Sequence, residues 1–171
     1  GASVGAGAIN VGAVTVNYDF SDVSSRFSPE ATFTGGLADA DGQIDSRSSI
    51  GFENDGTGTF NFSQPVDNLQ FRINDFEDEL ELVKIRAFDA SGNQIAFSVS
   101  TGRDVSGTNT DGVPGADTFE GDPGNVTNDL DPDGSILVTV PGPVARIEID
   151  FNSFGGTVAM TDLVFDTGTV V

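Results

Sequence analysis

Asp129, Asp131 and Asp133 occupy alternate positions ahead of Gly134, Ser135 and Ile136. A calcium loop supplies its ligands in that order: carboxylates at positions 1, 3 and 5, a glycine for the sharp turn at 6, a carbonyl at 7 and an apolar anchor at 8. Position 12, where an EF-hand places a bidentate glutamate, is Val140, and residues 135–140 read as a strand. The expectation is an Asp-rich turn at the mouth of a sheet, holding Ca²⁺ through Asp129, Asp131, Asp133 and Ser135, with a last ligand from another loop or water. An acidic, solvated turn is the alternative, since Asp and Gly also favour turns for backbone reasons.

Two other acidic clusters invite the same question. Asp39, Asp41 and Asp45 form a D-x-D-G-x-x-D pattern around Gly42, which fits a calcium loop or a plain turn. Asp75, Glu77, Asp78, Glu79 and Glu81 lie between two strand-like runs and repel one another unless a cation or an arginine lies among them. Asp75 and Asp78 are the better ligand candidates there, and Glu79 and Glu81 read as a solvated hairpin end. Asp19, Asp22 and Asp162 are weaker single-residue candidates.

Composition narrows the chemistry. The 171 residues carry Asp+Glu 27 against Lys+Arg 7, a formal charge of -20, and Asp outnumbers Glu. Short carboxylates fold back onto loops or grip hard cations, so divalent ions are one answer to this self-repulsion, with salt adaptation as the competing cause. Such charge makes nucleic acid and anionic membranes poor partners. With Cys 0 and His 0, disulfides, thiolate sites and the usual general base are all excluded, leaving oxygen ligands only. No apolar run approaches the roughly 18 residues that span a bilayer. A start at Gly1 without Met or signal peptide suggests a processed or trimmed mature form, and calcium loops with many carboxylates suit the outside of a cell, where calcium is plentiful.

The elements that must position these loops alternate with a period of two. Residues 13–20, 59–62, 69–73, 82–88, 94–99, 136–140, 144–151 and 157–165 read as strands with one buried face, separated by Gly, Asn, Asp and Pro turns such as residues 90–93 and 141–143. Helical periodicity is weak, with short turns at most near residues 22–27 or 78–82. This predicts an all-β protein: a two-sheet antiparallel β-sandwich of jelly-roll type with a Phe-rich core and long calcium-holding loops. Residues 1–12 form an apolar tail or added strand, and residues 13–171 a single domain. Residues 101–133 are polar, Gly-rich and long for a loop, so something must hold them, and calcium is the expected device.

The run Phe62-Ser63-Gln64-Pro65-Val66-Asp67-Asn68-Leu69-Gln70-Phe71 is followed by Val83-Lys84-Ile85-Arg86-Ala87-Phe88-Asp89-Ala90-Ser91-Gly92-Asn93. Gly142-Pro143-Val144-Ala145-Arg146-Ile147-Glu148-Ile149 and Met160-Thr161-Asp162-Leu163-Val164-Phe165 complete the pattern. Together these framework motifs, spanning residues 58–166, resemble the β-sandwich modules of large secreted bacterial proteins, found beside hemolysin-type calcium repeats, adhesins and carbohydrate-active regions. The resemblance implies a calcium-dependent extracellular module and carries over no catalytic residue.

Three functions compete. An enzyme fits least, because there is no His or Trp and only one Tyr and one Lys to build a cleft. A calcium-dependent carbohydrate-binding module is the runner-up, weakened by the shortage of exposed aromatic platforms. The leading expectation is a structural or adhesive module, partnered by copies of itself or a larger surface protein. Its small, uncharged N-terminal residues 1–12 would add a strand to a sheet, its own or a neighbour's.

Overall fold

Phe60, Phe62 and Val66 fall on even positions, whereas Leu69, Phe71 and Ile73 fall on odd ones, and all six are buried. A strand whose buried face changes parity must contain an extra residue, which is what a β-bulge supplies. The bulge lies between Asp67 and Gln70, where the register against the strand Val158–Thr167 shifts and Asn68 adopts a left-handed φ of 51°, a conformation that Asn tolerates better than most residues.

The computed structural model describes residues 5–21, 25–28, 49–52, 55–76, 81–122, 132–153 and 158–167. In chain order the strands are β1 (Ala6–Val11), β2 (Val14–Asp19), β3 (Ser25–Ser28), β4 (Ser49–Phe52), β5 (Gly56–Asn74), β6 (Glu81–Phe88) and β7 (Gln94–Ile95). They continue with β8 (Ser98–Thr101), β9 (Val105–Thr108), β10 (Thr118–Gly121), a 3₁₀ turn over Pro132–Gly134, β11 (Ile136–Val140), β12 (Val144–Ser153) and β13 (Val158–Thr167). Among the described residues there is no α-helix, and the strand pairs are antiparallel. The protein is all-β.

The long strand β5 organises the rest. Its first half lies between β2 and β12, and β12 continues to β6, β10 and β9. Beyond the bulge its second half lies between β11 and β13, which lead to β8 on one side and to β4 and β3 on the other. One apolar core joins both halves, with Phe20, Phe71, Phe76, Phe119, Leu69 and Ile147 fully buried. Burial of each such side chain contributes about 1.5–3 kcal/mol.

The corner at the bulge depends on a glycine. Gly142 has a φ of 94°, and a Cβ there would lie 2.8 Å from the Val66 carbonyl oxygen. Asn68 N–H donates to the Pro141 carbonyl (3.1 Å), and its side-chain amide donates to Asp166 (2.8 Å). Gly142→Ala is therefore expected to cost about 1–3 kcal/mol, read as a lower denaturation midpoint. An unchanged midpoint would show that the corner relaxes freely.

Three expectations need correction. Residues 123–131 of the expected 101–133 loop lie outside the described residues, and residues 101–122 are not one long loop: β9 and β10 pair with each other, and β10 pairs with β6. Their apolar content is too thin to show alternation, since only Val105 and Phe119 reach the core. The run 94–99 is two strands, because β7 pairs with β6 and β8 with β11; the chain crosses between ladders at Ala96 and Phe97. Of the short turns allowed at most near residues 22–27 and 78–82, Ser25–Ser28 is strand and β6 begins at Glu81, while residues 22–24 and 78–80 lie outside the described residues. By contrast, the turn at residues 90–93 forms where Asp and Gly place it. The Asp89 carboxylate accepts from the Ser91 and Asn93 N–H groups, both at 2.8 Å.

Candidate functional site

The 3₁₀ turn Pro132–Gly134, which carries Asp133, closes a junction of several chain segments. Where β5 ends, Asp75 takes a φ of 73°, turning the chain so that Phe76 enters the core. The Phe76 N–H then donates to the Gly134 carbonyl (3.1 Å), in the 3₁₀ turn. Gly102 N–H donates to the Ser135 carbonyl (2.7 Å), Asp104 N–H to the Asp133 carbonyl (3.0 Å), and Asp122 N–H to the Asp104 carbonyl (2.9 Å). These backbone bonds carry Asp75, Asp104, Asp122 and Asp133 into one region, joining the end of β5, the segment after β8, the end of β10 and the approach to β11.

Arg103 supplies positive charge here. Its Nε lies 3.0 Å from Asp104 Oδ1 and its Nη2 lies 3.0 Å from Asp133 Oδ2. Hydrogen bonding from Arg103 holds the Asp104 carboxyl below its ordinary pKa; burial opposes this and the charge of the same guanidinium reinforces it. Asp133, expected at loop position 5, thus has a protein cation as partner. The Ser135 carbonyl, expected at position 7, accepts from Gly102 N–H. Among the described residues no group of three or more carboxylates is arranged to hold a metal ion. Asp129, Asp131, Asp39, Asp41, Asp45 and Asp78 lie outside the described residues, as does Asp22. Asp19 closes β2 and binds Ser21 through its N–H (2.9 Å) and hydroxyl (2.6 Å). Asp162 falls where the β13 register shifts, between Thr161 and Val164.

The hairpin of β9 and β10 is held by protein groups that sequence reasoning missed. Asp117 is buried and accepts from Thr110 N–H (2.6 Å) and Thr110 hydroxyl (2.8 Å), while Lys84 Nζ lies 3.3 Å away. Asp111 accepts from Val113 N–H (2.8 Å) and from the Gln94 side chain. Asn109 accepts from Gly112 N–H (2.9 Å). The clue in the sequence was the lone lysine of an acidic chain, which the register places opposite Thr118, next to Asp117.

The outward face of β2, β5, β12 and β6 is polar in cross-strand rows. Asn17, Asn61, Arg146 and Phe88 form one row, and Asp19, Thr59, Glu148 and Arg86 the next. Arg86 bridges Glu148 (3.3 Å) and Asp150 (2.7 Å), Arg146 bridges Glu148 (2.8 Å), and the Arg146 guanidinium lies 4.3 Å above the Phe88 ring.

No family model matches the chain, and no curated protein matches it. One similar solved structure is the enzymatically active domain of bacteriophage CBA120 tailspike protein 4, at 17% identity and TM-score 0.35, covering 92% of this chain and 20% of that one. Another is the K1 cleaved adhesin domain of Lys-gingipain from Porphyromonas gingivalis W83, at 11% identity and TM-score 0.39, covering 84% of this chain and 91% of that one. Neither likeness bears on what this chain binds or does. Among the described residues, no helix is long and apolar enough to cross a membrane.

Proposed function

We propose that this chain is a non-enzymatic, extracellular structural or adhesive module that assembles with copies of itself or within a larger surface protein. The observation that carries the proposal is β1, an edge strand among the described residues, which exposes Ile9 by 52% and Val11 by 45%. Its sequence, Ala-Gly-Ala-Ile-Asn-Val, holds no charge or proline to discourage strand addition. The architecture proposed with it is a two-sheet sandwich of jelly-roll type, supported by β5 leaving one ladder for another across one core. Calcium belongs to the same proposal, supported by the ligand order of Asp129, Asp131, Asp133 and Ser135 and by the charge of -20. Bound there, it would neutralise carboxylates and raise stability by mass action.

The test is light scattering and thermal melting of the chain, each with and without chelator at moderate salt. Concentration-dependent assembly and a lower melting temperature in chelator are expected. An unchanged melt would end the calcium proposal, because Arg103 and the hydrogen bonds of the junction would then suffice. A monomer at all concentrations would end the assembly proposal. The second reading, a carbohydrate-binding module, would then lead, favoured by the row of Asn17, Asn61, Arg146 and Phe88, in which amides and a guanidinium share a sheet face with an aromatic ring. A glycan array would test it.

A further inference from the structure

The open edge of β1 is self-complementary. Phe20 N–H donates to the Gly5 carbonyl (2.8 Å), which makes residues 5 and 20 a hydrogen-bonded pair in the antiparallel ladder. Such pairs alternate with non-bonded ones, so Gly7 and Tyr18, Ile9 and Val16, and Val11 and Val14 bond in turn along the observed register. The N–H and C=O groups of Ala6, Ala8 and Asn10 therefore turn away from β2, toward an edge that no described strand occupies. These three residues are symmetric about Ala8.

We infer that β1 pairs with β1 of a second copy of this chain, antiparallel, about a two-fold axis at Ala8. This rests on the assembly reading above and specifies its geometry. In this register Ala8 faces Ala8 of the second copy and Ala6 faces Asn10, so each outward donor meets an outward acceptor. Ile9 comes opposite Gly7 of the second copy, where no Cβ competes for space and where the Tyr18 ring lies against the strand. The exposed isoleucine thus gains an aromatic cover, a favourable cross-strand contact. Charge selects the occupant. Residues 5–18 include no ionisable side chain except the Tyr18 phenol, in a chain of formal charge -20. Two such chains repel over most of their surface, and this neutral edge lets them meet without opposing carboxylates. A two-fold contact is also the commonest form of association between identical chains.

The chain has no cysteine, so a single introduced thiol reports the register. Facing residues in a hydrogen-bonded antiparallel pair have Cα atoms about 5.5 Å apart, inside the range that a disulfide spans. Mild oxidation of Ala8→Cys should give a disulfide-linked dimer at least about tenfold faster than Ser91→Cys, placed in an exposed turn, because only the first is held face to face. A second variant, Ala8→Pro, removes an outward N–H and leaves the bonds between β1 and β2 intact. Two intermolecular bonds are lost per dimer, so its dissociation constant should rise about tenfold or more. Assembly in which Ala8→Cys cross-links no faster than the control, or in which Ala8→Pro associates like the parent chain, overturns this register and leaves the assembly reading standing. A parent chain that stays monomeric removes both. If Ala8→Pro also melts earlier, the cysteine variant alone decides.

Discussion

Phe20→Ala is expected to lower stability by about 3–5 kcal/mol. Phe20 is fully buried just beyond β2. Its ring meets Phe60 edge-on at 5.1 Å and lies where a Cβ of residue 58 would stand. Gly58 has no side chain to refill the space, so truncation leaves a cavity and not a collapsed contact. The loss should appear in urea as a lower midpoint with an unchanged slope. Gly58→Ala is expected to destabilise the parent chain, where its methyl meets the ring, and to be better tolerated in the Phe20→Ala background. That coupling is the sharper measurement. Simple additivity of the two substitutions would show that ring and glycine are not partners.

Asp117→Ala is expected to cost about 2–3 kcal/mol, because the Thr110 N–H and hydroxyl would lose a buried acceptor. Lys84 would lose its partner too, but it is partly exposed and can turn to water. The ionised carboxylate is what matters, and pH can show it. Burial opposes ionisation of Asp117, yet the Thr110 N–H, the Thr110 hydroxyl and Lys84 together outweigh it and hold the pKa below 3.8. A group whose native pKa is depressed contributes stability that is complete above its unfolded value and is lost as pH falls through the native one. Asp117→Asn, which cannot ionise, should therefore be less stable than the parent chain at neutral pH. The gap should close as pH falls below 3.8, through the lowered native value. Melts of both proteins down the acid range would check this. A gap that stays constant to the lowest pH would show that shape, and not charge, holds the hairpin.

One-sided burial writes its mark locally, and for that reason much of the fold was legible in the residues. The alternation in residues 82–88, 136–140 and 144–151 became β6, β11 and most of β12, and Asp89 and Gly92 marked their turn. The change of parity between Val66 and Leu69 was there to be read as well, but residues 59–62 and 69–73 read as separate strands, with Pro65 between them. The structure shows why proline is tolerated: β12 pairs with Asn61 and with Val66 and leaves the residues between them outside its register. The ligand order of residues 129–136 was visible for the same local reason, since turns and ion ligands draw on the same short side chains.

Long-range register was not legible. Asp133 meets Arg103 only because backbone bonds tie the segment after β8 to the approach to β11, and Asp117 meets Lys84 only because β10 lies beside β6. The residue types determine the number and sign of the charges, but a carboxylate's partner depends on which strands become neighbours. The same holds at the N-terminus. Composition showed a neutral, apolar segment able to join some sheet, whereas the turn at Gly12, with a φ of 59°, and pairing with β2 made it an edge of its own sheet. The parity of that ladder then decided which backbone groups face outward, because hydrogen-bond direction alternates along a strand and is set by the partner, not by the residue itself.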